Sequence, residues 1–172
     1  MKRKIVSAVM LIVCFLLQCT VFNQLSLGSI KPNLLIILTS ALGFTRGHKS
    51  GMLVGFFSGL LIDIQFGNLL GFYALIYTVI GFANGFFKQI YYDDDVKLPL
   101  FLIAGSTFIY GIVVYLFQFL LRGDFHFIQF LGQIIIPELL YTLVVALALY
   151  PLIRHVNRKF EAREKRSASK FV

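Results

Sequence analysis

The chain has no tryptophan, two cysteines, four prolines and eight acidic residues, and charged residues make up only 14% of its 172 positions. Each shortage excludes something. A soluble domain carries roughly 25% charged residues, so this chain has too little polar surface to stay in water. Its 58% hydrophobic content and mean hydropathy of +0.83 point instead to an integral membrane protein of several spans. Without tryptophan, Tyr and Phe must supply any interfacial belt. Cys14 and Cys19 fall in one apolar run, five residues apart, so on one helix they point to different faces and cannot bridge each other. They read as buried membrane thiols. P-loop, nucleophile-elbow, HExxH and CxxC patterns are also missing. Nothing sets a nucleophile against a base, so no catalytic residue, cofactor or metal is assigned and no enzymatic activity is expected. Asp93, Asp94 and Asp95 lack the D-x-D-x-D-G spacing of a calcium loop and read as a solvated loop capping the next helix. His48, His126 and His155 are scattered, and are expected in loops facing solvent.

What is present is a series of apolar runs at about 5–22, 33–45, 51–64, 69–87, 98–121 and 130–153. They predict an all-α fold, a polytopic bundle of six transmembrane helices in one domain (1–153), with helices two and three short and a basic cytoplasmic tail over 154–172. The first run is long enough to cross roughly 27 Å at 1.5 Å per residue. Its other reading is a secretory signal cleaved near Ser26 and Gly28. The second and third runs, joined by the basic turn Arg46–Ser50, read as thin spans or as a re-entrant hairpin. Six spans put both ends on one side. With the ends inside, fourteen of the 16 Lys and Arg residues are cytoplasmic and only Lys31 and Arg122 are outside. The positive-inside rule therefore fixes the orientation, and the net charge of +8 is explained without nucleic acid. The tail's basic residues would also attract anionic lipid.

Gly51, Gly55 and Gly59 recur every fourth residue and so lie along one helix face, with Asp63 at the end of the same row. Gly67 and Gly71 continue the spacing beyond the expected helix end. Gly81 and Gly85 form a second small-xxx-small pair. Such ridges let another helix approach closely in lipid. Two readings stay open: packing within the chain, or docking of a partner's membrane helix. Asp63 and Glu138 are the carboxylates bordering or inside apolar runs, which makes them candidates for function. Pro137 removes a backbone donor and frees a carbonyl, so a kink is expected beside Glu138. A carboxylate there should find a partner or carry a proton, and Lys31 and Arg122 are the outer cations available. A structural pair or cap, contact with a ligand or partner, and proton coupling are the competing roles.

The order K-P-N-L-L-I-I-L at 31–38, the basic turn at 46–49, G-x-x-x-G-F-x-x-G-L-x-x-D at 51–63, L-G-F-Y-A-L at 70–75 and G-F-x-x-G at 81–85 resembles the rod shape-determining MreD family. Beyond Gly85 the likeness is generic. The resemblance implies a bacterial cytoplasmic membrane protein of the elongation machinery, supporting rod shape and lateral peptidoglycan synthesis. Its implied partners are an MreC-like single-span protein, an actin-like cytoskeletal protein, a peptidoglycan glycosyltransferase and a transpeptidase. No catalytic residue carries over. Family positions would map to Pro32, Asn33, Gly55, Gly59, Asp63 and Gly71. Six short apolar helices also look like the substrate-binding subunits of energy-coupling-factor vitamin transporters. That reading predicts a small solute in an outward pocket near Asp63 and Glu138. The Ala-x-x-x-Ala coupling motif of those subunits is missing, because Ala8 is followed four residues on by Ile12.

Overall fold

A computed structural model describes residues 2–25, 30–66, 70–89, 97–118 and 127–168. Among these the chain is helical, with no strand. Six main helices follow in order: α1 (Lys2–Cys19), α2 (Leu34–Arg46), α3 (His48–Phe66), α4 (Phe72–Phe86), α5 (Lys97–Gln118) and α6 (Ile136–Ala168). A helical turn at Val21–Gln24 follows α1, and a short helix, Phe127–Phe130, leads through a π-helical turn, Leu131–Ile135, into α6.

The bundle is built around α2. Every residue from Leu34 to Phe44 is buried. A helix that is apolar on all sides must sit inside other helices, and α1, α3, α4, α5 and α6 all contact it. Asn33 starts α2, its side chain accepting the Ile36 N–H at 3.2 Å. Gly47 stops it at φ +96°, a conformation open to glycine. The basic turn is therefore a single residue between α2 and α3. His48, Lys49 and Ser50 are already helical, and with Gln65 and Phe66 they extend α3 to 19 residues. Of the two helices expected to be short, only α2, at 13 residues, is. His48 and His155 likewise lie in helices rather than loops; both are exposed, and the His48 ring stacks on Phe86 at 6.3 Å.

The outer faces are apolar. Ile5, Val9, Ile12 and Leu16 form an exposed stripe on α1, and Leu140, Val144 and Leu147 another on α6. Phe56 and Phe57 project from α3, Leu75 and Val79 from α4, and Phe101 and Ile109 from α5. Such a surface suits acyl chains and would not stay dispersed in water. Two segments, Lys97–Phe117 and Ile128–Lys159, are long and apolar enough to cross a membrane. α6 runs on to Ala168, well into the basic tail.

Candidate functional site

The glycine ridge of α3 faces α4. A Cβ placed on Gly51 would fall on the Gly81 carbonyl, one on Gly55 on the Tyr77 carbonyl, and one on Gly59 on the backbone of Tyr73 and Ala74. Gly81 in turn faces the Gly51 carbonyl, and Gly85 faces the backbone of His48. All five glycines are buried where two helices touch backbone to backbone. Glycines on both helices permit this approach, Gly51 and Gly81 facing each other, and dispersion between the backbones rewards it. In this chain the seam is occupied by its own α4.

The same approach delivers Asp63. Four residues beyond Gly59 on the same face, its carboxylate reaches the N-terminus of α4. Oδ2 accepts the N–H groups of Gly71 at 3.0 Å and Ala74 at 2.9 Å, and Oδ1 accepts that of Tyr73 at 2.9 Å. The first turn of a helix has unpartnered donors and a positive dipole end, so a carboxylate held there satisfies both. Gly71 makes the turn into α4 at φ +99°, again open to glycine. Asp63 is 2% exposed, and its role here is a cap made across the chain, not a contact with an outer cation.

Asn33 is a hub. Besides the Ile36 N–H, its Oδ1 accepts the Tyr77 hydroxyl at 2.7 Å, and its backbone N–H donates to Thr142 Oγ1 at 3.1 Å. Its side chain also lines the cavity beside Glu138. One residue thus ties α2 to α4 and α6, while Gln18 Oε1 brings in α1 by accepting the Leu35 N–H at 3.3 Å.

Around this hub lies a cavity of about 570 Å³. Its polar lining is Gln18, Lys31, Asn33, Gln133 and Glu138, with the rings of Tyr73 and Tyr110 on one wall. Pro32 and Ile62 add apolar surface. The π-helical turn and Pro137 explain how α6 contributes. Ile136 N–H bonds to the Leu131 carbonyl five residues back, and Pro137 has no N–H to offer, so the ladder is loosened over this stretch. Gln133 lies within the loosened turn, Glu138 follows it, and both reach the cavity. The cavity sits where α1 and α3 end and where α2, α4 and α6 begin. That is the end of the bundle opposite the Gly47 turn.

At the Gly47 end a second polar group forms. Arg46 Nε donates to Asn157 Oδ1 at 2.6 Å and Nη1 donates to Ser7 Oγ, while Asn157 Nδ2 donates to Thr45 Oγ1 at 2.9 Å. Lys88 Nζ donates to the Arg46 carbonyl at 3.2 Å. Arg46 therefore holds α1, α2 and α6 together from within.

Of the positions singled out in the sequence, Pro32, Asn33 and Glu138 meet at the cavity, Pro137 shapes its wall, and Asp63 and Gly71 meet one turn away at the start of α4. The five glycines lie along the α3–α4 seam. Gly67, Asp93–Asp95, Arg122, His126 and the Ser26–Gly28 cleavage site fall outside the described residues. Sequence reasoning missed Gln18, Tyr73, Tyr77, Tyr110, Gln133 and Thr142. The available signal was polar residues inside apolar runs, with Tyr73 and Tyr77 spaced four apart on one face of α4. Among the described residues no group of three His, Cys, Asp or Glu side chains could hold a metal ion.

Compared with known proteins, the chain matches a family model described as rod shape-determining protein MreD over residues 1–160. No curated protein matches it. No solved structure matches it either, so the likeness to energy-coupling-factor subunits rests on sequence pattern alone.

Proposed function

The chain belongs to the rod shape-determining protein MreD family, and from that membership we propose that it is a non-catalytic membrane scaffold of the bacterial elongation machinery. It would support lateral peptidoglycan synthesis by holding partners together rather than by turning over a substrate. The observation that carries this reading is the family match across 160 of 172 residues. The fold is in keeping with it. Asp63, one of the two carboxylates singled out as candidates for function, caps a helix and so has a structural partner.

In this reading six helices cross the cytoplasmic membrane, both termini are cytoplasmic, and the cavity opens outward. The distribution of Lys and Arg supports that orientation. The exposed apolar stripes face lipid and the membrane segments of partners, among them an MreC-like single-span protein, a glycosyltransferase and a transpeptidase. The basic cytoplasmic face lies near anionic lipid and an actin-like filament.

Affinity-tagged chain extracted from its native membrane should retain a single-span MreC-like protein. Reporters fused to either terminus should read cytoplasmic. Loss of the single-span partner from gentle extracts, or an external C-terminus, would overturn the scaffold or the topology respectively.

A further inference from the structure

The scaffold reading leaves the polar cavity without a role. A cation, Lys31, and a carboxyl side chain, Glu138, both line it. Among the described residues Glu138 makes no ion pair with Lys31 or any other cation. Burying charge in a partly apolar wall is costly unless it is matched. A chain that only needed stability would close these two side chains on each other or replace them. Here both line a space of about 570 Å³, within the range of small-molecule sites, without pairing among the described residues.

The local backbone is arranged to the same end. The π-helical turn ahead of Pro137 interrupts α6 where Gln133 and Glu138 enter the wall, and π-turns inside longer helices recur at functional sites. Gln133 is exposed to the cavity and has both amide donors and a carbonyl acceptor. Tyr73 and Tyr110, with ring centroids 6.2 Å apart, present aromatic surface on another side. Aromatic faces attract ammonium groups.

We propose that this cavity binds a small zwitterion, a primary ammonium joined by a short linker to a phosphate or carboxylate, with the ammonium on Glu138 beside the tyrosines and the anion on Lys31. A plain anion would meet Glu138 and a plain cation would meet Lys31. A zwitterion matches both and adds no net charge to the site. The chemistry has two sources: the headgroup of an aminoethyl phospholipid from the bilayer, or a free zwitterion such as phosphoethanolamine from the aqueous side. The site goes beyond the scaffold reading and does not depend on it, because binding is measured on the purified chain alone.

The test is native mass spectrometry and thermal unfolding of the full chain in phosphatidylcholine nanodiscs. Phosphatidylethanolamine, phosphatidylglycerol and soluble phosphoethanolamine are titrated in separately. The expected result is retention of phosphatidylethanolamine over the other two lipids, weakened about tenfold or more in Lys31→Met and in Glu138→Gln. Binding of phosphoethanolamine with the same variant dependence, without lipid preference, supports the proposal and assigns the soluble source. Lys31→Met decides the matter if Glu138→Gln does not fold, since among the described residues Lys31 makes no hydrogen bond. Equal retention of all three lipids with no phosphoethanolamine binding overturns the proposal. So does a folded Lys31→Met protein that binds either zwitterion as the parent does.

Discussion

Removing the Asp63 carboxylate should be strongly destabilising. Three N–H groups converge on it, those of Gly71, Tyr73 and Ala74, all between 2.9 and 3.0 Å. Asp63→Ala leaves all three without a partner. Gly71 is exposed and can turn to another acceptor, but Ala74 is buried and Tyr73 partly so. A buried donor left unsatisfied costs about 1–3 kcal/mol, and losing the negative charge at a helix N-terminus adds about 0.5–1 kcal/mol. The total is about 3–5 kcal/mol, a large share of a typical stability of about 5–15 kcal/mol. Asp63→Asn keeps the shape and one acceptor oxygen, and should cost about 1–2 kcal/mol. Cys14 supplies the assay. It is buried in the parent fold, whereas Cys19 is only partly so, so in a Cys19→Ser background a thiol-reactive dye reports unfolding as the purified protein is heated. The predicted order of midpoints is parent, then Asp63→Asn, then Asp63→Ala. An Asp63→Ala protein that melts with the parent would refute the cap. An Asp63→Asn protein as unstable as Asp63→Ala would show that both carboxylate oxygens are needed, since the amide sets a donor against an N–H.

Gly55→Leu should be destabilising by about 3 kcal/mol or more, because its Cβ would fall on the Tyr77 carbonyl and force α3 from α4; the same thermal assay reads it, and an unchanged midpoint would contradict the seam. Gly105→Ala is the matched opposite: nothing lies within 4 Å of its Cβ, so better helix propensity should raise stability by about 0.5–1 kcal/mol. Tyr77→Phe should lower the midpoint by the equivalent of about 1 kcal/mol, since the buried Asn33 Oδ1 loses its 2.7 Å donor but keeps the Ile36 N–H.

Much of this architecture was visible in the residues. Apolar runs mark the helices, and the four-residue spacing of Gly51, Gly55 and Gly59 marks a face meant for close approach. What spacing cannot tell is whose backbone fills that face. That depends on Gly81 and Gly85 arriving in register on α4, which requires the turn at Gly71 and the reach of Asp63. The same limit hid the end of α3. His48, Lys49 and Ser50 look like a loop by composition, yet once Gly47 turns the chain their backbones continue the helix. Arg46 looked like one more cytoplasmic cation and proved to be a partly buried clamp, since Asn157 and Ser7 lie far from it along the chain. The cavity was legible only in fragments. Pro32, Asn33, Pro137 and Glu138 stood out singly, whereas Gln18, Gln133 and the tyrosines join them through tertiary packing that no local pattern encodes.

The central claim is that the chain sustains rod shape as a membrane component of the elongation machinery. The most direct measurement is depletion in its native bacterium, with cell width and length followed through several divisions. Rods should widen and round up, and re-expression of the parent chain should restore them. Cells that keep normal rod dimensions after the protein has gone would contradict the account.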